Sequence, residues 1–177
     1  IPLPYLNFPV MADVCLNDVP FTLNTATPSG GSYSGSGVSN NIFNPVTAGA
    51  STHTITYQYT DQQTTCSNST TQTITVNALP VMGFSALADV CVDDVAFALS
   101  GGTPTGGSYF GTGVSSGNFD PATAGVGTHT IYYTYTDPST GCADTVNQSI
   151  VVHALPVVSL GTFADVCVND AAFSLSG

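Results

Sequence analysis

The chain contains no lysine, no arginine and no tryptophan, and all eleven of its acidic residues are aspartate. Without a cation to neutralise phosphate, it has no footprint for nucleic acid and none for an anionic bilayer surface. The same absence excludes a Schiff-base lysine, an arginine clamp, a lysine isopeptide crosslink, a lysine-containing phosphate loop and every Lys/Arg salt bridge. At a formal charge of −11 with three histidines, stability must come from elsewhere. Lacking Glu, Lys and Arg, the chain also lacks most of the strong helix formers, while Ser, Thr, Gly and Pro are plentiful, which favours strands and turns. No apolar run approaches the ~18 residues that a membrane-spanning helix needs. Ile1-Pro2-Leu3-Pro4 carries neither the basic nor the apolar segment of an uncleaved signal peptide. Hydrophobic residues at 42% and aromatics at 10% are nevertheless too many for a disordered polyanion. These observations predict a folded, all-β protein.

What is present is a repeat. Cys15, Cys91 and Cys167 recur at intervals of 76 residues, as do Cys66 and Cys142, His53 and His129, Tyr57 and Tyr133, and Pro80 and Pro156. Residues 1–76 and 77–152 align without a gap and agree at about half their positions, and 153–177 repeats the opening third of a unit. Self-similarity at a fixed period is the mark of a tandem array, so the chain reads as an excerpt of a longer one: unit 1 over 1–76, unit 2 over 77–152, and the first third of unit 3 over 153–177. The alternative is that residues 153–177 complete a neighbouring molecule's sheet by strand exchange.

Within a unit, apolar and polar residues alternate in Thr54-Ile55-Thr56-Tyr57-Gln58-Tyr59 and in its copy Thr130–Tyr135, the pattern of a half-buried antiparallel strand with Ile55, Tyr57 and Tyr59 inward. Thr73–Val76 and Ser149–Val152 repeat it after a turn at Asp61 or Asp137, predicting a terminal hairpin. Val14–Leu16, Phe21–Leu23, Gly30–Gly35 and Ile42–Pro45 supply shorter upstream strands. Six or seven short strands separated by Gly, Pro, Asn and Asp predict a small β-sandwich. Between units, Asn77-Ala78-Leu79-Pro80 and His153-Ala154-Leu155-Pro156 leave almost no spacer. Proline fixes its own φ and biases the leucine before it to extended geometry, which predicts stiff joints and an extended rod.

Two cysteines per unit, 51 residues apart, suit one disulfide per domain: Cys15 with Cys66 and Cys91 with Cys142, leaving Cys167 to a partner beyond the sequence. Closing a loop of that size contributes roughly 4 kcal/mol in the chain-entropy model and places the protein in an oxidising compartment. A thiolate zinc site is disfavoured because no Cys-x-x-Cys pair occurs. His53 and His129, in Thr-His-Thr-Ile, lack a nucleophile and an orienting acid in any recognisable pattern, so they read as strand-edge residues with local hydrogen bonds. Asp13, Asp18, Asp89, Asp93 and Asp94 cluster around the first cysteine of each unit and are the candidates for calcium. The competing reading makes them turn caps bonded to their own backbone. Asn68 and Asn147 open Asn-x-Ser/Thr sequons at non-equivalent repeat positions. Tyr132 faces outward by alternation where unit 1 has Thr56, making it the first candidate for ligand contact.

The order Cys-x-Asn/Asp-Asp, Phe-x-Leu, Pro-x-Gly-Gly-x-Tyr-x-Gly-x-Gly-Val, Phe-x-Pro-x-x-Ala-Gly, His-x-Ile-x-Tyr-x-Tyr-Thr-Asp, Cys and Ile-x-Val runs from Cys15 to Val76 and again from Cys91 to Val152. It resembles the PKD/Ig-like repeats of very large secreted surface proteins of Bacteroidetes, among them gliding-motility adhesins. That resemblance implies an extracellular stalk or filament at the cell surface with no catalytic residues and no cofactor. It also implies O-glycosylation at Asp-Ser/Thr followed by a small or apolar residue, which Asp144-Thr145-Val146 matches and Asn68-Ser69-Thr70 does not. The expected partners are further copies of the repeat, identical chains in a filament, and surface glycans. A glycan-binding module and a spacer beside a secreted hydrolase are the alternatives.

Overall fold

A computed structural model describes residues 2–162, 165, 167–169 and 171–172. Unit 1 contains β1 (Val14–Cys15), β2 (Phe21–Thr22), β3 (Ser32–Ser34), β4 (Val38–Ser39), β5 (Ile42–Phe43), the helical turn α1 (Pro45–Ala48), β6 (Thr52–Thr60) and β7 (Ser67–Asn77). Four of these strands form one sheet in the order β1-β7-β6-β3, and three form another in the order β2-β5-β4. Every pairing is antiparallel except β1 with β7, where Val14 lies opposite Val76 and Cys15 opposite Asn77. The core lies between the sheets: Tyr33, Ile55, Tyr57, Ile74 and Val76 come from the first, and Phe43 from the second. Phe43 and Ile55 are fully buried, each contributing about 1.5–3 kcal/mol of transfer free energy.

Unit 2 repeats the plan with β8 (Gly83–Phe84), β9 (Val90–Cys91), β10 (Phe97–Ala98), β11 (Gly102–Thr103), β12 (Ser108–Gly111), β13 (Val114–Ser115), β14 (Asn118–Phe119), α2 (Pro121–Ala124), β15 (Gly127–Thr136) and β16 (Ala143–His153). Its four-stranded sheet runs β12-β15-β16-β9 and its three-stranded sheet β10-β14-β13, with β8 and β11 as an added pair. The second core, around Leu99, Phe119, Ile131, Ile150 and Val152, shares no residue with the first.

Two local features depart from the sequence reading. Asn44 and Asp120 start a single helical turn rather than continuing a strand: each side chain accepts a backbone N–H of the turn (Thr47; Ala122 and Thr123), proline follows at the first helical position, and Gly49 or Gly125 ends it at positive φ. The final strand is also far longer than Thr73–Val76, beginning at Ser67. Its first half is polar on both faces because its partly buried residues bond to backbone instead of filling the core. Asn68 Nδ2 donates to Pro4 O at 2.9 Å and Gln72 Nε2 to Phe8 O at 2.8 Å, and Gln148 repeats the second bond with Phe84 O.

One glycine is dictated by packing. The hydroxyl of buried Tyr57 accepts the Gly31 N–H at 2.9 Å and donates to Pro28 O. A Cβ on Gly31 would lie 2.5 Å from that ring and 2.3 Å from Gln58 O, so only glycine fits. Gly107 and Tyr133 repeat the arrangement.

Candidate functional site: a covalent joint between the repeats

The cysteines do not pair within units. Cys15 is bonded to Cys142, with Cα atoms 5.5 Å apart and 127 residues between them in sequence. The predicted pairs Cys15–Cys66 and Cys91–Cys142 are therefore both wrong, and strand geometry gives the reason. Cys15 sits opposite Asn77, the last residue of β7, whereas Cys66 immediately precedes Ser67, the first. Eleven residues of strand at ~3.3 Å each hold the two ends roughly 35 Å apart, and a disulfide tolerates a Cα separation of no more than about 7 Å. One cysteine thus lies at each end of a unit. The bridge forms where the far end of unit 1 meets the near end of unit 2.

Each half of this joint is built by its own local bonds. On the unit 1 side, Asp18 Oδ2 accepts the Cys15 N–H at 2.7 Å and Leu16 N donates to Asn77 O, fixing Cys15 against the end of β7. On the unit 2 side, Asp137 N donates to Cys142 O at 2.9 Å and Gly141 N to Asp137 O at 2.8 Å, closing a tight turn. The Ser139 hydroxyl and then its backbone N–H hold the Asp137 carboxyl below its ordinary pKa, keeping it ionised as the acceptor of this turn. Beside the bridge, Asn17 Nδ2 donates to Ala143 O at 3.2 Å, a second bond from unit 1 to unit 2. Cys142 is fully buried.

The chain matches no protein-family model and no curated protein.

The other candidates are placed as follows. Asp13 and Asp89 accept backbone N–H groups of the final strand, from Thr75 at 3.3 Å and Val151 at 3.2 Å. Asp18 and Asp94 cap the cysteine turns, and Asp93 is exposed. Among the described residues, no three His, Cys, Asp or Glu side chains group to hold a metal, so the structure does not assemble the calcium candidates into a site. His53 Nε2 donates to Gly49 O at 2.7 Å and His129 Nε2 to Gly125 O at 2.8 Å, tying the strand to the end of the helical turn. Cys66 and Cys91 are partly exposed thiols, and Cys167 is exposed.

Thr145 and Asn147 are exposed on β16, but Asn68 is half-buried with its amide nitrogen committed to Pro4 O, which opposes glycosylation there. Tyr132 does face outward, and its ring stacks on that of Phe110 across the β12–β15 pairing, with centroids 5.0 Å apart and planes inclined by 10°. Phe110 was not singled out from sequence. Ser34 and Thr56 occupy the equivalent positions in unit 1, so this stack belongs to unit 2 alone.

Proposed function

We propose that this chain is a structural segment of an extracellular bacterial surface filament or adhesin stalk. Its 76-residue units act as tandem Ig-like sandwich domains in an extended, non-catalytic rod. The observation that carries the reading is the Cys15–Cys142 bridge between units. A bond that joins the end of one domain to the start of the next adds nothing to a pocket, but it locks domain against domain. The disulfide is consistent with an oxidising location outside the cytosol, and no helix among the described residues is long and apolar enough to cross a membrane. The short Leu79-Pro80 connection supports the same reading. Negative-stain electron microscopy of the native protein should reveal thin rods with an axial repeat of roughly 35 Å, the length of an eleven-residue strand. Compact globules would overturn the proposal.

One observation favours a second role. Exposed, parallel-stacked rings such as Phe110 and Tyr132 present a flat apolar surface suited to the C–H face of a sugar, with Asn147 opposite Tyr132 as a hydrogen-bonding neighbour. Substituting the unit 1 residues, Phe110→Ser with Tyr132→Thr, should abolish glycan-array signals without altering stability by more than about 1 kcal/mol. An array with no signals for the wild-type protein removes this role.

A further inference from the structure

We propose that Cys91 and Cys66 are the open halves of joints identical to Cys15–Cys142, each completed by a neighbouring repeat unit, so that the array is stapled at every junction by a staggered ladder of disulfides. This inference rests on the stalk reading above and adds the partner of its two unpaired thiols. The bridge links position 15 of one unit to position 66 of the next, one full period more than the separation within a unit. By the same rule, Cys91 takes the position-66 cysteine of the unit that opens at His153, and Cys66 takes the position-15 cysteine of a unit on its N-terminal side.

Both halves are already shaped for the bond. Cys91 is opposite His153, its N–H is accepted by Asp94 Oδ2 at 2.7 Å, and Val92 N donates to His153 O, reproducing each bond around Cys15. Cys66 ends the same turn as Cys142. Its N–H meets Thr64 Oγ1 at 3.4 Å, against 3.3 Å for Cys142 and Thr140, and its sulfur lies 3.7 Å from Thr64 O, against 4.0 Å from Thr140 O. What differs is cover: Cys142 is fully buried beneath unit 1, and Cys66 is partly exposed. Neither thiol can find a partner in its own unit, since the two cysteines sit at opposite ends of the final strand.

Asp93 stands where unit 1 has Asn17, and a carboxylate cannot donate to a carbonyl, so the joint after unit 2 relies on its disulfide without the accompanying amide bond. Each joint forms by exchange with a protein disulfide oxidant. Two cysteine thiols give up two protons and two electrons to become one disulfide, and the oxidant's disulfide becomes a dithiol.

The test is a disulfide map of the native protein. Thiols are blocked with N-ethylmaleimide at harvest, and the protein is digested with pepsin at acid pH, where exchange is arrested. The expected result is linked peptides joining the Cys91 segment to the position-66 cysteine of the following unit, and the Cys66 segment to the position-15 cysteine of the preceding one. Maleimide on Cys66 or Cys91, a Cys91–Cys142 peptide, or a bond between two separate chains would each overturn the ladder. Micrographs of the same sample separate the two proposals. Rods with maleimide-labelled cysteines leave the stalk standing without the ladder, whereas globules with fully paired cysteines leave the ladder without the stalk.

Discussion

Consider residues 1–177 alone, without the neighbouring units, held by the two ends and pulled until every strand has come apart. With Cys15 bonded to Cys142, the pull passes from residue 15 through the sulfurs to residue 142, and the 127-residue separation between them contributes nothing to the extended length. At about 3.5 Å per residue, opening the bridge should lengthen the fully stretched chain by roughly 440 Å. Optical tweezers with handles at the termini read this directly. Cys15→Ser and Cys142→Ser should each give the full increase in oxidising buffer, and Cys66→Ser should give none, because the unit that supplies its partner is absent from this segment. If the bridges instead closed each unit on itself, Cys66→Ser would free a loop of 51 residues and lengthen the molecule by roughly 180 Å. That single result, a longer oxidised molecule after Cys66→Ser, would refute the reasoning from opposite strand ends. The same Cys15→Ser change should also lower equilibrium stability by up to about 5 kcal/mol, the chain-entropy value for a loop of this size, as read by denaturant titration.

Three further outcomes follow from the local structure. Tyr57→Phe keeps the buried ring but strands the Gly31 N–H and the Pro28 carbonyl, and should cost about 1–3 kcal/mol in urea unfolding; a neutral result would show that water replaces the hydroxyl. Thr65→Gly should stabilise unit 1 by about 0.5–1 kcal/mol, because Thr65 has φ 59° where unit 2 has Gly141 at φ 75°; thermal melts showing a loss would contradict this. Asp120 has its pKa lowered, first by the Thr123 hydroxyl and then by the Thr123 N–H, Asp61 is lowered by the N–H groups of Thr64 and Gln63, and Asp137 is lowered by Ser139. A depressed folded pKa contributes stability that is present above the unfolded value of 3.8 and is lost as pH falls through the folded value. Urea midpoints should therefore hold steady from pH 7 to about 5 and decline below about 4, and Asp120→Asn, which copies Asn44, should make that decline shallower.

The period, the all-β character, the terminal hairpin and the inward set Ile55, Tyr57 and Tyr59, the first two buried and the third partly so, were legible in the sequence because alternation and repetition are local signals. Cysteine pairing was not, since a spacing of 51 residues says nothing about which end of a strand each residue occupies. The clue that would have served is that Cys15 lies beside the strand that leaves the unit, while Cys66 lies beside the turn that enters it. The helical turns were announced by Asn44-Pro45 and Asp120-Pro121 followed by Gly49 and Gly125, a cap, a first-position proline and a closing glycine, whereas reading Ile42–Pro45 as a strand absorbed the first cap and its proline. The polar half of the last strand was hidden because Asn68 and Gln72 satisfy backbone carbonyls, and hydrophobic periodicity is blind to that use of a buried position.

Placing the two cysteines at opposite ends of a unit also fixes an order of events. As the chain emerges from its N-terminus, Cys66 becomes available to Cys15 long before Cys142 does, so an unfolded unit would capture the wrong partner. Once β6 and β7 have paired, the two thiols of a unit are held out of reach of each other. Folding must therefore run ahead of oxidation. A finished domain then presents one waiting thiol to the domain that follows, and the correct bond records that both neighbours had reached their native form.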